Sequence, residues 1–470
     1  MSSVFWYNIC IIGYVLALFI YSFNLAFRHA FWRRLATIIV ALSFLLQTIG
    51  MVFRWIEAGY VEVAAVERAT GETLKGLSRW LIFTQHPPWS NLYEIMVYMS
   101  WGIILVFLVC EVKWRVRFMG IFALLLALTA FGVASLTDGI IKPLVPALKS
   151  WWIMVHVISA SIAYAAGTIA AIASLLYLVK AKDRLSLTAL GSGIMALSAF
   201  LGLILGRGLS LLTDATYRVK LLREMGGDYV TVGKIVEGQF TPYYVPSPGV
   251  GPLLLVAILL CLLAAVMMFK ARQKMDVPAG WIKISYFAGL LAMFTVGVVM
   301  TVNDMSMVNV IIDPEVSPSL MPPGPWRLAL QSNTWDLGFL SVILVGQIFI
   351  GLAILFPVQI RDLLPSAKQL DRVAYANIMV SFSLVAVVLV TGALWAHYAW
   401  GRYWGWDPKE TGALVIWLNY ALYLHTRVTY GWTGTRSAVI AILGFFIILA
   451  GFLGVNLGWF ANGLHSYGSA

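Results

Sequence analysis

The chain consists of long apolar runs separated by short polar segments. A helix that spans a bilayer needs about 20 mostly apolar residues, and the runs are long enough for this. The predicted spans are 5–27, 35–53, 91–110, 118–136, 152–179, 186–206, 249–269, 284–303, 337–357, 373–396, 411–425 and 437–456. The pattern therefore predicts an all-α, polytopic membrane protein with about twelve transmembrane helices.

Basic residues are concentrated in every second segment between the predicted spans. They are Arg28, Arg33, Arg34, Lys113, Arg115, Arg117, Lys180, Lys182, Arg184, Lys270, Arg272, Lys274, Arg361, Lys368, Arg372, Arg427 and Arg436. Because cytoplasmic loops of membrane proteins are rich in lysine and arginine, we expect these segments to face the cytoplasm. Both termini, the 397–410 segment and the start of the span at 152 are then predicted to face outward from a bacterial cytoplasmic membrane.

The composition excludes a soluble globular protein, because 61% of the residues are hydrophobic and only 11% are charged. The basic cytoplasmic segments account for the net charge of +11, so no nucleic-acid partner is predicted. Cys10, Cys110 and Cys261 lie in apolar runs without CxxC spacing, which indicates neither a disulfide framework nor a cysteine metal site. The first apolar run is too long for a signal-peptide core, so we expect the first helix to be retained.

The most unusual segment joins two predicted spans on the outward side. It reads Trp400-Gly401-Arg402-Tyr403-Trp404-Gly405-Trp406-Asp407-Pro408-Lys409-Glu410-Thr411 and is called the tryptophan loop below. An aromatic belt at the membrane interface is one explanation for it. The glycines also permit close approach of a flat molecule, and Asp407-Pro408 predicts the start of a helix. A fixed aromatic surface would suit haem, whose propionates Arg402 or Lys409 could bind.

Haem iron needs axial ligands, and histidine is the natural ligand because the cysteines are dispersed in apolar runs. His156 lies at the outer start of a predicted span, and His465 lies in the outer tail. Each also has a structural interpretation, His156 as a core residue bonded to a neighbouring helix and His465 as a solvated tail residue. The sequence alone leaves both interpretations open.

His425 ends the predicted span that begins at the tryptophan loop. About 18 residues of helix separate it from that loop, so it lies some 27 Å away and cannot reach the same iron. It is predicted either to serve a second, inner haem position or to extend toward the membrane interface.

The remaining polar residues of interest have structural explanations. His29 is interpreted as a cytoplasmic loop residue, His397 as a neighbour of an aromatic belt, and His86 as a residue that orders a loop. Glu94 lies in the first turn of a predicted helix, where a carboxylate is stabilised by the helix N-terminus. A ligand or protein contact is the alternative for Glu94.

The tryptophan loop resembles the WWD signature of haem-handling proteins, and its Asp407-Pro-Lys-Glu-Thr411 ending resembles the CcsA/ResC family of system II cytochrome c biogenesis. The resemblance extends to Trp89-Ser-Asn-Leu-Tyr-Glu94, Trp152-Ile-Met-Val-His-Val157, 417–427, 453–457 and 463–468. It implies that His156 and His465 are external axial ligands of haem b, and that His425 is a transmembrane ligand. The haem-binding surface that it implies comprises Trp400, Gly401, Tyr403, Trp404, Trp406 and Asp407.

The resemblance also implies an activity and partners. The chain would carry haem across the membrane and present it for covalent attachment to the CxxCH motif of an apocytochrome c, as a cytochrome c synthase (haem lyase) subunit. A CcsB-like subunit would supply the other intramembrane ligand, and a thioredoxin-like reductant is a third partner to consider. No residue is assigned to catalysis. The alternatives are a b-haem electron-transfer subunit and a haem exporter without synthase activity.

The resemblance divides the chain into three parts. Residues 1–180 would form a five-helix part with His156, and residues 373–470 the haem-binding part with His465. Residues 181–372, with four predicted spans, are interpreted as an insertion into the family pattern. Because the number of inserted spans is even, the predicted orientation of the flanking parts is unchanged.

The predicted orientation can be tested with a reporter fused after Ala470. A reporter that works only outside the cytoplasm should be active there, because the tail is predicted to face outward. The measurement is the activity of the fused reporter enzyme in intact cells. Activity of a cytoplasm-specific reporter at the same position would contradict the orientation.

Overall fold

The computed structural model describes most of the membrane-spanning part of the chain. The described residues are 2–27, 29–84, 86–135, 139–144, 148–181, 249–272, 279–303 and 364–451, with short segments between 217 and 247 and between 307 and 354. The chain divides into two compact units, 1–183 with 358–470 and 184–357. The interpretation of 181–372 as an insertion stays a prediction.

The described part of the first unit is helical. Its helices are α1 (Ser3–Phe27), α2 (Ala30–Thr70), α3 (Gly76–Thr84), α4 (Leu92–Trp114), α5 (Met119–Ser135), α6 (Trp151–Ala181), α9 (Ala367–Trp400), α10 (Pro408–Thr429) and α11 (Thr435–Leu449). Helices suit a lipid environment because each satisfies its own backbone hydrogen bonds. Polar caps fix several ends, as where the Asn91 side chain accepts from the Glu94 amide at the start of α4.

The helical, polytopic architecture is confirmed. Each predicted span contains a helix except 186–206, which lies outside the described residues, and 337–357, which lies largely outside them. Among the described residues, seven helices are long and apolar enough to cross a membrane, and two shorter apolar helices accompany them. The total of twelve spans and their orientation stay predictions.

The structure differs from the sequence prediction at α2 and α3. Helix α2 has 41 residues and continues well beyond the predicted span at 35–53. Past residue 53 the buried positions of α2 include Arg54, Ala58 and Glu62, which are spaced by one helical turn. Because two of these residues are charged, the mean hydropathy of the sequence falls there although the helix continues. Helix α3 is short and was not predicted.

The second unit contains helices α7 (Val250–Arg272) and α8 (Ala279–Asn303) and short antiparallel strands. The strands are β1 (Tyr217–Met225), β2 (Asp228–Thr231), β3 (Gly233–Val236), β4 (Gln239–Pro242), β5 (Tyr244–Ser247), β6 (Met307–Val308) and β7 (Leu328–Gln331). Strand β1 pairs with β2, β5 and β7, β7 pairs with β6, and β3 pairs with β4. The sequence does not predict these strands, because most are too short to display a two-residue repeat.

Helix α6 packs closely against its neighbours in the first unit. Its buried positions are mostly small, among them Ala163, Ala166 and Gly167. The Ser381 hydroxyl of α9 donates to the Ala163 carbonyl oxygen at 2.7 Å, which requires a short distance between the two backbones. Small residues are typical of helix interfaces in membranes, because they let the helices approach closely.

Polar contacts fix the relative register of α1, α2 and α4. The Tyr14 hydroxyl donates to Gln47 Oε1 at 2.7 Å, and Gln47 Nε2 donates to the Val97 carbonyl oxygen at 3.0 Å. Near the other end of α4, the Tyr21 hydroxyl donates to the Glu111 carboxylate at 3.0 Å. Buried polar groups need such partners, so these bonds restrict how the three helices can pack.

The ends of α9 and α10 remote from the tryptophan loop are joined by an ion pair. Arg427 Nη1 and Nη2 contact the two carboxylate oxygens of Asp371 at 2.9 and 2.5 Å. The Arg427 guanidinium also lies 4.6 Å from the centre of the Tyr375 ring. A bidentate pair is more directional than a single contact, so it fixes α10 against α9.

Candidate functional site

A pocket lies in the first unit among α4, α6, α9, α10 and the tryptophan loop. It is partly open to the surroundings. Its lining includes Trp89, Asn91, Ile95, Met99, Leu148, Ile153, His156, Val157, Ala160, Tyr164, Leu389, Gly392, Trp395, Tyr403, Trp404, Lys409, Glu410, Ala413 and Ile416. A mostly apolar lining with a few polar groups is typical of sites for small molecules and cofactors.

The His156 imidazole is oriented by the backbone of α9. Its Nδ1 lies 3.0 Å from the Val388 carbonyl oxygen. A carbonyl oxygen can only accept, so Nδ1 carries the proton in this contact and, in the neutral ring, Nε2 carries the lone pair. Histidines that ligate metals commonly donate their other ring nitrogen to a carbonyl or carboxylate in this way.

Gly392 leaves the space that the imidazole occupies. A Cβ atom at position 392 would lie 2.9 Å from His156 Cε1 and 3.1 Å from Nδ1. Position 392 is four residues after Val388, so any side chain there would lie over the carbonyl that His156 reaches. Trp395, one turn further along α9, lies 6.1 Å from the imidazole between ring centres. Val388, Gly392 and Trp395 lie on one face of α9, and together they determine the position of the His156 imidazole.

The tryptophan loop has a defined backbone conformation. Helix α9 ends at Gly401, whose left-handed φ of 72° allows its amide to donate to the His397 carbonyl oxygen. Trp406 has a φ of 57°, which is uncommon for a residue with a side chain. Such conformations persist only where the surroundings enforce them, and they are concentrated at functional sites.

The start of α10 supplies the groups that hold this loop. Asp407 is the N-cap, and its side chain accepts from the Lys409 amide at 3.0 Å. Glu410 Oε2 accepts from the Asp407 amide at 3.1 Å and from the Gly405 amide at 2.8 Å. The helix start predicted from Asp407 and Pro408 is therefore confirmed, and Glu410 extends the cap into the loop.

The aromatic rings of the loop form several contacts. Trp400 lies 5.0 Å from Trp395, and Trp404 packs edge-on against Trp406 at 5.7 Å between ring centres. Tyr403 stacks on His397, with ring centres 4.3 Å apart and planes within 5°. Trp406 is 70% exposed, which leaves a large aromatic surface on the tryptophan loop.

Two basic side chains lie at the loop. Lys409 lines the pocket, and burial lowers the pKa of its ammonium to about 8, although the nearby Asp407 carboxylate acts in the opposite direction. The Arg402 guanidinium lies over Gly405, where a Cβ atom would overlap it. The glycine at 405 therefore leaves room for a cation.

A buried ion pair supports the wall contributed by the start of α4. Arg54 Nε contacts Glu94 Oε1 at 2.9 Å, and Glu94 Oε2 accepts from the Ser90 amide at 2.8 Å. Ser90 and Asn91 line the pocket. Of the two interpretations of Glu94, these contacts favour the structural one.

A second buried cluster lies near the same wall. Glu62 contacts Lys149 Nζ at 2.5 Å and His86 Nδ1 at 3.3 Å, and it accepts from the Leu144 amide at 2.9 Å. Glu62 and His86 are almost completely buried. The position of His86 agrees with its interpretation as a residue that orders a loop.

The predicted site residues are only partly brought together. His156, Tyr403 and Trp404 line the pocket, whereas the other predicted loop residues, Trp400, Gly401, Trp406 and Asp407, are not among its lining residues. His465 lies outside the described residues. His425 is on the exposed side of α10, with Nδ1 3.4 Å from the Thr429 hydroxyl. His29 caps α2 by accepting from the Phe31 amide.

Sequence reasoning missed Val388, Gly392 and Arg54. Val388 acts through its backbone, and its side chain gives no signal. Gly392 does give one, because a glycine inside a helical apolar run usually has a packing or functional reason. Arg54 ends an apolar run, and a basic residue at the end of a span is easily interpreted as a marker of the orientation of that span in the membrane.

The chain is similar to known cytochrome c biogenesis proteins. The model of the cytochrome c assembly protein family matches residues 89–216 and 247–462, and so omits most of the β1–β5 region. The cytochrome c biogenesis protein CcsA of Trichormus variabilis is 28% identical over 442 residues, covering 91% of this chain and 95% of that protein. The CcsA protein of Prochlorococcus marinus is 54% identical over 103 residues, covering 22% of this chain and 32% of that protein. These matches confirm the family resemblance.

The capping function of Glu410 can be tested by proteolysis. Glu410→Ala removes both acceptor bonds, which costs about 1 kcal/mol for a helix cap and should raise the open population of the loop roughly fivefold. Trypsin should then cleave after Arg402 correspondingly faster, as measured by mass spectrometry of the purified protein. Glu410→Gln, which can still accept, should have a smaller effect.

Cleavage after Arg34, at the other end of the bundle, is the internal control. Equal acceleration at both sites would indicate general destabilisation. An unchanged rate after Arg402 in Glu410→Ala would refute the capping function.

Proposed function

Because this chain belongs to the cytochrome c assembly protein family, we propose that it transports haem b and presents it at the tryptophan loop for attachment to an apocytochrome c. Membership of the family gives it a role in cytochrome c biogenesis. Its apolar helices make it a multi-pass membrane protein. The transport and presentation of haem, and an outward-facing site in a bacterial inner membrane, are the finer parts of the proposal.

The observation that carries the proposal is the geometry of His156. An imidazole inside a mostly apolar pocket, with Nδ1 held by the Val388 carbonyl, has its Nε2 lone pair in the state required for an iron ligand. His465, outside the described residues, is the proposed second axial ligand. Exchange of one histidine for a histidine of the acceptor would then transfer the iron to its new protein.

The other features of the pocket suit the remainder of the haem molecule. The apolar lining and the rings of Tyr403 and Trp404 provide surfaces for the porphyrin plane. Lys409 and Arg402 are cations of the tryptophan loop, Lys409 in the pocket lining and Arg402 beside Gly405. The haem propionates would be their partners. Burial lowers the pKa of Lys409 to about 8, so an anionic partner would stabilise its charged form.

The chemical step needs positioning rather than a catalytic side chain. Each acceptor cysteine adds its thiol across one vinyl C=C bond, with sulfur bonding to the carbon next to the ring and hydrogen to the terminal carbon. The addition is redox-neutral, and the iron is held reduced throughout. The contribution of this chain is to keep the vinyl groups and the acceptor segment in register.

His425 supports an inner haem position shared with another subunit. Val415, Leu418, Leu422 and His425 form one exposed stripe of α10. If His425 ligates a haem iron from this exposed stripe, the second axial ligand has to come from a different chain. A CcsB-like subunit is the proposed source of that ligand. A thioredoxin-like reductant would act on the acceptor cysteines, and synthase activity is proposed for the complex of the two membrane subunits.

The function can be tested with Gly392→Ala, His156→Ala and Gly132→Ala. Cells would make each variant with a CcsB-like partner and an apocytochrome c. His156→Ala should abolish thioether-bound haem, and Gly392→Ala should reduce it several-fold because the methyl group displaces the imidazole. Haem staining of denatured cytochrome and the absorption spectrum of the purified complex provide the measurements.

The control is Gly132→Ala, where an added Cβ meets nothing within 4 Å. Added imidazole should restore haem in His156→Ala, because it fills the vacant coordination position. Normal maturation in His156→Ala would refute ligation by this residue. Normal haem content without any thioether product would favour an exporter or a b-haem electron-transfer subunit.

The inner position is tested by His425→Ala. If haem passes His425 on its way to the tryptophan loop, this variant should deplete haem at the outer site although the outer ligands are intact. The absorption spectrum of the purified complex reports the occupancy. Thr429→Ala, which removes the hydroxyl near Nδ1 but keeps the imidazole, should remain close to wild type. Full occupancy in His425→Ala would leave only a structural function for this residue.

A further inference from the structure

One side of α2 is exposed and apolar along much of its length. The residues on this side are Phe31, Ile38, Leu42, Leu45, Ile49, Val52, Ile56 and Tyr60. Their spacing follows the helical repeat, so they form one continuous stripe. An exposed apolar stripe of this kind in a membrane protein is suited to contact with lipid.

The stripe is as long as a complete bilayer. From Phe31 to Tyr60 it extends over 29 residue steps, or about 44 Å at 1.5 Å per residue. The hydrocarbon core is about 30 Å thick, and the bilayer with its headgroup regions is about 40–45 Å thick. The stripe is therefore long enough for Phe31 and Tyr60 to reach the two headgroup regions, where aromatic side chains are enriched.

Helix α3 continues this surface beside Tyr60. The Phe83 ring packs edge-on against the Tyr60 ring at 5.3 Å between centres, and it fills the space over Gly59. Leu77, Trp80 and Leu81 remain exposed, Leu77 at 71% and Trp80 at 60%. Their spacing places them on one face of the helix.

The charges around α3 match a lipid surface. Lys75 precedes the helix, Arg79 lies on the side away from Leu77, and the helix contains no acidic residue. Both basic residues are exposed. An apolar face combined with basic residues on the opposite side is typical of helices that lie in the membrane interface and contact phosphate groups.

We propose that α3 is an interfacial anchor. Leu77, Trp80 and Leu81 insert among the lipid headgroups at the pocket end of the first unit, and Lys75 and Arg79 bind lipid phosphates. Two observations favour lipid over a protein partner. The exposed face belongs to a helix that packs through Phe83 against Tyr60, at the end of the apolar stripe of α2, and that stripe has the length of a bilayer of ordinary thickness.

The anchor also fixes the level of the pocket wall. Helix α3 is attached to α2, and α2 carries Arg54 and Glu62, the residues that hold the start of α4 and the segment around Leu144. The anchor would thereby restrict movement of the pocket along the membrane normal.

The test uses spin labels on the full chain in lipid nanodiscs that contain phosphatidylcholine and phosphatidylglycerol. Leu77→Cys places a label on the exposed apolar face, and Ser78→Cys places one on the neighbouring side of the same helix. The three native cysteines are buried, so the wild-type protein should take up little label. Collision rates with oxygen, which is enriched in lipid, and with a water-soluble nickel chelate are measured.

At position 77 the oxygen rate should exceed the nickel rate several-fold, and at position 78 the ratio should be reversed. A high nickel rate at position 77 would place the apolar face in water and overturn the proposal. Protection of position 77 from both reagents would indicate a protein partner, which would also overturn it. Because the readout is independent of haem, its result does not depend on the proposed function.

Discussion

Helix α6 can approach α4, α9 and α11 closely because its buried positions are small residues. In lipid, apolar side chains gain little from mutual burial, so close backbone packing and a few directed hydrogen bonds have to determine the arrangement. The Ser381 hydroxyl reaches the Ala163 carbonyl only at such short range, and a Cβ atom at Gly102 of α4 would lie 2.9 Å from the Ser161 carbonyl oxygen. The pocket depends on this packing, since two of its walls, α4 and α9, are helices that α6 brings together.

The orientation of His156 follows from the same constraint. An imidazole on α6 can hydrogen-bond a carbonyl within α9 only if the helices are close and the covering side chain is absent, and Gly392 meets the second condition. The tryptophan loop is held differently, by the cap that Asp407 and Glu410 form at the start of α10. The His156 imidazole and the loop backbone are thus held by different hydrogen bonds, and Trp395 links them, because its ring lies beside both the imidazole and Trp400.

The sequence was sufficient for features that depend on local pattern. Apolar length predicts the helices, and Asp407-Pro408 predicts the start of α10. It was insufficient for contacts between residues that are distant in the chain. Nothing in the spacing connects Glu62 with His86 and Lys149, and the partner of His156 is a backbone atom of Val388. The continuation of α2 was missed because an amphipathic helix does not form an unbroken apolar run, and the strands were missed because most have four residues or fewer.

Under the proposed function, the pairing of α2 with α4 has a consequence for how a cytochrome chain would reach the pocket. Gln47 is bonded to Val97, and Arg54 is paired with Glu94, so the first turn of α4 is level with Arg54. Tyr60 is six residues further along α2, or about 9 Å along the helix axis. If Tyr60 lies in the headgroup region, as proposed for the anchor, the α4 wall lies at the depth of the upper acyl chains. A folded, water-soluble protein cannot descend to that depth, whereas an extended peptide can, so the geometry favours an acceptor that arrives before it has folded.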